Sequence, residues 1–170
     1  QQIERIELTV SNVIDGSAEK LIVDGSSAAL TDDTVLTTSN NGLDVSVEVS
    51  ETTATVTVDG GSVSETTANT IIDTLAYEHT GDDPTIALNR RITITKLTDD
   101  GGATNGGDDT ATFSTSSNVS ISSANDAPRL STDARSLKNI DEDAAANSGT
   151  QVSTILSSAG STGDAEGDTL

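Results

Sequence analysis

The chain has 170 residues with 28 acidic and 8 basic side chains, for a formal charge of −20. That field repels nucleic acid and anionic lipid and favours cations, and the absence of cysteine removes disulfides, thiolate metal sites and thiol nucleophiles. No run approaches the roughly 18 apolar residues that span a bilayer, so no direct membrane insertion is expected, and the lack of methionine, even at position 1, suggests a processed or excised piece.

In chain order, Ile6, Leu8 and Val10 alternate with Arg5, Glu7 and Thr9, the period-2 signature of a half-buried strand. Leu43, Val45, Val47 and Val49 repeat it, and after the break Ser50-Glu51-Thr52 so do Ala54, Val56 and Val58, which reads as a β-hairpin closed at Asp59-Gly60-Gly61. Residues 62–77 change period: Ser62-x-x-Glu65 has the form of a capping box, and Ala68, Ile71, Ile72, Leu75 and Ala76 fall at helical spacing. Ile92 and Ile94 mark a further strand, and Ala111, Phe113, Val119 and Ile121 one or two more. Pro128 cannot donate to a ladder and holds Ala127 extended, which makes it a natural domain boundary. Beyond it, Leu137 with Ile140, and Val152 with Ile155 and Leu156, suggest two short strands around the acidic stretch Asp141–Asp143. Some 40 residues so poor in apolar groups cannot bury a core alone. Tyr77 and Phe113, the only aromatic rings, are expected in the core of the first domain.

The frame Asp15-Gly-Ser-Ala-Glu19-Lys-Leu21 recurs as Asp164-Ala-Glu166-Gly-Asp168-Thr-Leu170, an offset of 149 residues. This points to one unit and the start of the next. Three segments, Leu75–Thr85, Leu97–Thr110 and Ala124–Pro128, together resemble the tandem cadherin-like or immunoglobulin-like repeats of giant bacterial adhesins, the RTX adhesins included. The resemblance implies an all-β, immunoglobulin/cadherin-like Greek-key β-sandwich with one short helix. It also implies export to the cell surface and calcium at the junctions between repeats. On this basis residues 1–128 form one repeat, its first strand missing ahead of Gln1, and residues 129–170 are the linker and incomplete start of the next. The glycine-rich nonapeptide of RTX tails is not matched by Gly101-Gly102-Ala103-Thr104 or Gly106-Gly107-Asp108-Asp109.

Calcium takes 6–8 oxygen ligands, often from one curled loop. Asp164, Glu166 and Asp168 project to one side of an extended segment and, with Asn125 and Asp126 of the proline-marked linker, make the candidate junctional site. The glycine-rich loop with Asp99, Asp100, Asp108 and Asp109 is a second candidate, expected at the same end as the linker. The alternative for each cluster is that Asp, Asn and Gly simply make turns and solvated surface. The loop is no EF-hand, since its sixth position is Thr169 in one copy and Lys20 in the other.

Catalysis finds little support. The single histidine, His79, has no nucleophile-elbow serine, and no phosphate loop ends in Gly-Lys-Ser/Thr. The expectation is a non-enzymatic extracellular extender of a calcium-stiffened adhesin or biofilm-matrix fibre, with neighbouring repeats as partners. The alternatives are a calcium-dependent sugar- or peptide-binding module and a filament subunit completed by strand exchange from residues 130–170.

Overall fold

Ile6, Leu8 and Val10 are the buried face of β1 (Gln2–Ser11), the central strand of the molecule. The computed structural model describes residues 1–102 and 104–124, together with Arg129–Leu130, Asp143 and Thr162–Gly163. The chain divides into two compact units, Gln1–Ser122 and Ser123–Leu170. In the second, β11 (Arg129–Leu130) pairs antiparallel with β12 (Thr162–Gly163). The strands expected around Leu137, Ile140, Val152, Ile155 and Leu156 lie outside the described residues, as does Pro128.

The first unit is an all-β sandwich of two antiparallel sheets with one helix. The long sheet runs β10-β9-β1-β6-β5-β4, where β4 is Thr34–Thr37, β5 Asp44–Ser50, β6 Thr53–Asp59, β9 Arg90–Asp99 and β10 Thr110–Val119. A two-residue strand β7 (Val63–Ser64) also pairs with the start of β1. The facing sheet is β3-β2-β8, with β2 Glu19–Val23, β3 Ser26–Ala29 and β8 Ala76–His79. The core between them is aliphatic: Leu8, Val10, Leu21, Val23, Val56 and Ala54 are wholly buried.

Two turns fix the register. Ser50 pairs with Thr53, so the expected hairpin of β5 and β6 closes on Glu51-Thr52, with Glu51 at φ 55°. Asp24 and Gly25 both take positive φ between paired Val23 and Ser26, the backbone of a tight hairpin turn. A side chain at Gly25 would also run into Asn40, 2.7 Å from its Cβ position.

The helix α1 (Glu65–Asp73) is shorter than the spacing predicted. Its cap is Ser64, whose Oγ accepts from Thr67 N–H at 3.1 Å, while Ser62 donates to Gln2 instead. Ala68 and Ile71 are its buried residues, and Ala76 belongs to β8.

In β9 the pairing with β1 shifts between Glu7–Lys96 and Leu8–Ile94, and the Thr95 hydroxyl donates to Glu7 O at 2.9 Å. An extra residue in one strand moves the following side chains to the other face. The inward set therefore passes from Leu97 to Ile94, Ile92 and Arg90, an arginine delivered into the core.

The expectation that both aromatic rings are buried fails for Phe113. Tyr77 is half-buried, but Phe113 is 42% exposed because it stands on the edge strand β10, beyond the cover of the shorter sheet.

Strand directions set the poles. Gln2 starts β1 beside Asp100 and Ser64, and Ser11 ends it beside Thr53 and Arg91. β10 runs the same way, from Thr110 by the Asp99–Asp109 loop to Val119 opposite Arg90. The first unit is thus entered at one pole and left at the other.

Candidate functional site

Of the nine residues expected to bind metal, Asn125, Asp126, Asp164, Glu166 and Asp168 lie outside the described residues. Asp99, Asp100, Asp108 and Asp109 stand together at the tip of the β9–β10 hairpin, where Asp99 N–H donates to Asp109 O at 2.9 Å. Each carboxylate accepts a hydrogen bond. Asp99 Oδ1 accepts from Gly101 N–H at 2.7 Å, Asp100 Oδ1 from Gln2 N–H at 2.8 Å and Asp108 Oδ1 from Thr110 N–H at 3.0 Å, while Asp109 Oδ1 accepts from the Thr110 hydroxyl at 3.1 Å. Among the described residues no three acidic or histidine side chains converge as metal ligands. Nor does the tip stand where β10 ends: ten residues of strand, about 30 Å at 3.2–3.4 Å each, carry the chain away from it to Val119.

The chemistry gathers instead at the second pole, around Arg90. Alternation in β2 puts Glu19, Leu21 and Val23 on the core face, so an acid enters the apolar interior. The shifted register of β9 brings Arg90 to meet it, and both side chains are fully buried. Burying an unpaired charge costs several kcal/mol, so each needs the other and a full set of hydrogen bonds.

The set is nearly complete. Arg90 Nε donates to Glu19 Oε1, one terminal nitrogen to the carbonyls of Thr85 (2.9 Å) and Leu88 (2.8 Å), and the other to Asp15 Oδ2 (2.9 Å). Glu19 also accepts from the Tyr77 hydroxyl at 2.7 Å and from the backbone N–H groups of Ile14 and Asp15 at 2.6 and 2.8 Å. Asp15 takes both the N–H and the hydroxyl of Thr85. His79 Nδ1 lies 3.1 Å from Gly81 N and 3.2 Å from Gly81 O, and Nε2 faces Asp15 Oδ2 at 3.2 Å.

These contacts move the protonation equilibria. Burial pushes the Asp15 carboxyl up, but the two Thr85 bonds, the Arg90 charge and His79 outweigh it and hold it below the usual value. Burial, then the bond to Glu19 and its charge, push the Tyr77 phenol up. Burial works against the Arg90 charge, and the bond and charge of Glu19 more than restore it. The network draws together the loop after β1, the first residue of β2, β8, the 80–89 loop and the start of β9. It acts as an electrostatic rivet between the two sheets.

A second buried acid closes the other end of β2. Asp24, 4% exposed, accepts from the Thr38 hydroxyl at 2.6 Å, Asn41 N–H at 3.0 Å and the Asn41 amide at 2.6 Å. Thr38 then accepts from Leu43 N–H, tying the β2–β3 turn to the loop before β5.

The sequence carried a signal for the rivet: Glu19 and Arg90 both occupy the apolar phase of alternating strands, Glu19-x-Leu21-x-Val23 and Arg90-x-Ile92. Opposite charges in core phase on two strands ask for each other. Comparison with protein-family models, curated proteins and solved structures finds no match to this chain.

Proposed function

We propose that this chain is a non-enzymatic extender module of an extracellular bacterial adhesin or matrix fibre, working by length and stiffness. The observation that carries the reading is the placement of Gln2 and Val119 at opposite poles of the first unit. A module entered at one pole and left at the other adds its full strand length, about 30 Å, to whatever it is joined to. Force applied along that line loads β1 lengthwise against β6 and β9, so their hydrogen bonds resist together in shear. The rivet and the Asp24 clamp oppose sliding of the second sheet. Neighbouring repeats are the partners this reading implies, and the cell surface its place of work.

Calcium belongs to the proposal through Asn125, Asp126, Asp164, Glu166 and Asp168, with the Asp99–Asp109 tip available only as one contributor to a junction. The reading is tested by stretching the chain from residue 1 to residue 124 in single molecules, with and without calcium, alongside thermal melting. Shear-type resistance and a stabilisation of about 1.4–2.7 kcal/mol in 10 mM calcium are expected for a dissociation constant of about 10⁻⁴–10⁻³ M. Unfolding at the low force of strand peeling argues against an extender. Melting curves identical in calcium and in chelator remove the metal.

A further inference from the structure

An asparagine followed by glycine is the pair most open to loss of its side-chain amide, because glycine has no side chain to shield its nitrogen. The pair occurs at Asn41-Gly42 and at Asn105-Gly106. Asn41 and Gly42 are both exposed to water. Gly42 takes φ 67°, and the place of its missing Cβ is open, with no neighbouring group of the described residues within 4 Å.

Both reacting groups are nevertheless engaged. Asn41 Nδ2 donates to Oδ1 of the buried Asp24 at 2.6 Å, and the Gly42 N–H donates to Thr38 O at 3.2 Å. Around them the turn at 39–41 docks on the β2–β3 turn. Asn41 N–H donates to Asp24 Oδ2 at 3.0 Å and Asn40 N–H to Asp24 O at 3.3 Å. Ser39 N–H donates to Ser26 Oγ and the Ser39 hydroxyl to Gly25 O, both at 2.9 Å. The two turns belong to opposite sheets.

We propose that Asn41 is a hydrolytic modification site gated by the Asp24 clamp. When the clamp opens, Gly42 N bonds to Asn41 Cγ and the Cγ–Nδ2 bond breaks. Nδ2 leaves as ammonia with the Gly42 amide proton. Water then opens the ring on either side of its nitrogen, leaving aspartate or isoaspartate at position 41. Nothing is oxidised or reduced. The closed clamp withholds the reaction, since Thr38 O and Asp24 must both let go first. Afterwards it cannot close as before. A carboxylate replaces the donor at Asp24 Oδ1, and two carboxylates so close repel unless they share a proton. Isoaspartate also adds a main-chain carbon between Thr38 and Leu43, which the bond from Leu43 N–H to Thr38 Oγ1 joins. The step is a one-way release of a tie between the sheets, and it stands apart from the extender reading.

Peptide mass mapping of the full chain, held in mildly alkaline buffer with and without urea, tests it. Conversion at position 41 is expected to be at least about tenfold slower in the native chain than in urea. The variant Thr38→Val, which deletes a donor to Asp24, speeds conversion at position 41 and leaves Asn105 unchanged. Asn41→Asp, the aspartate product itself, lowers the urea midpoint at neutral pH, and its deficit against the parent narrows on mild acidification. Equal rates at position 41 in buffer and in urea overturn the proposal. So do absence of conversion in urea, equal acceleration of both sites by Thr38→Val, and an Asn41→Asp chain as stable as its parent.

Discussion

Replacing Arg90 by methionine keeps most of the aliphatic bulk and deletes the one cation that serves two acids. The starting point is unfavourable for the variant: Glu19 has no exposed side-chain surface and Asp15 only 15%. Neither is wholly abandoned. Glu19 keeps Tyr77 and the N–H groups of Ile14 and Asp15, and Asp15 keeps Thr85 and His79. The carbonyls of Thr85 and Leu88, however, lose their guanidinium donor. Breaking a buried pair from one side costs about 3–5 kcal/mol, a large share of the roughly 5–15 kcal/mol that holds a typical domain together. Urea denaturation followed by circular dichroism reads the loss. The companion variant Glu19→Gln and the double variant complete a cycle, in which the two losses fall short of additivity by about 1–3 kcal/mol. The pH dependence gives a second signature. Without its cation, the carboxylate pair is relieved by taking up a proton, so the methionine variant gains stability on mild acidification. A cost below about 1 kcal/mol, or strict additivity in the cycle, refutes the rivet.

The native chain has two flanks in its stability profile. The depressed Asp15 contributes stability that is complete above the ordinary carboxyl value of 3.8 and is lost as pH falls through the lowered one. The raised Tyr77 contributes stability that is complete below the ordinary phenol value of 10.0 and is lost as pH rises beyond it. Melting temperature against pH checks both, and phenolate absorbance of the single tyrosine reads the alkaline flank directly; ionisation of the folded chain at the ordinary phenol value contradicts it. Phe113→Ala costs only about 1–2 kcal/mol because so much of the ring is already in water, whereas Leu8→Ala, in the closed core, costs about 2–5 kcal/mol. Equal losses in urea midpoints contradict this ordering.

Strands with clean alternation were legible: β1, β5, β6 and β9 follow the runs at Ile6, Val45, Val56 and Ile92. β2 and β3 were not, because Asp15–Leu21 reads as an acidic loop until Glu19 is allowed to face inwards, and because the Asp24-Gly25 turn is easily taken for another acidic patch. The helix was found and misplaced at its start, since Ser62 and Ser64 both precede suitable partners and only tertiary contact with Gln2 commits Ser62 elsewhere. Phe113 was misjudged on hydrophobicity alone. The register shift at Lys96, which decides what β9 buries, shows in the sequence only as the three-residue step from Ile94 to Leu97.

Crowding and burial sort the acidic residues differently. The four tip aspartates are the densest described group; Asp99, Asp108 and Asp109 are engaged within the tip and Asp100 by the N–H of Gln2. The acids buried among the described residues are the isolated Glu19 and Asp24, at the two ends of β2. The physical distinction is solvation. A carboxylate beside other carboxylates stays in water, where a turn N–H satisfies it at little cost, whereas a carboxylate in core phase must recruit donors from wherever the fold can bring them. Glu19 draws on Arg90, Tyr77 and the loop after β1, and Asp24 on Thr38 and Asn41. In a chain of charge −20 the acids that organise the fold are those that left the crowd.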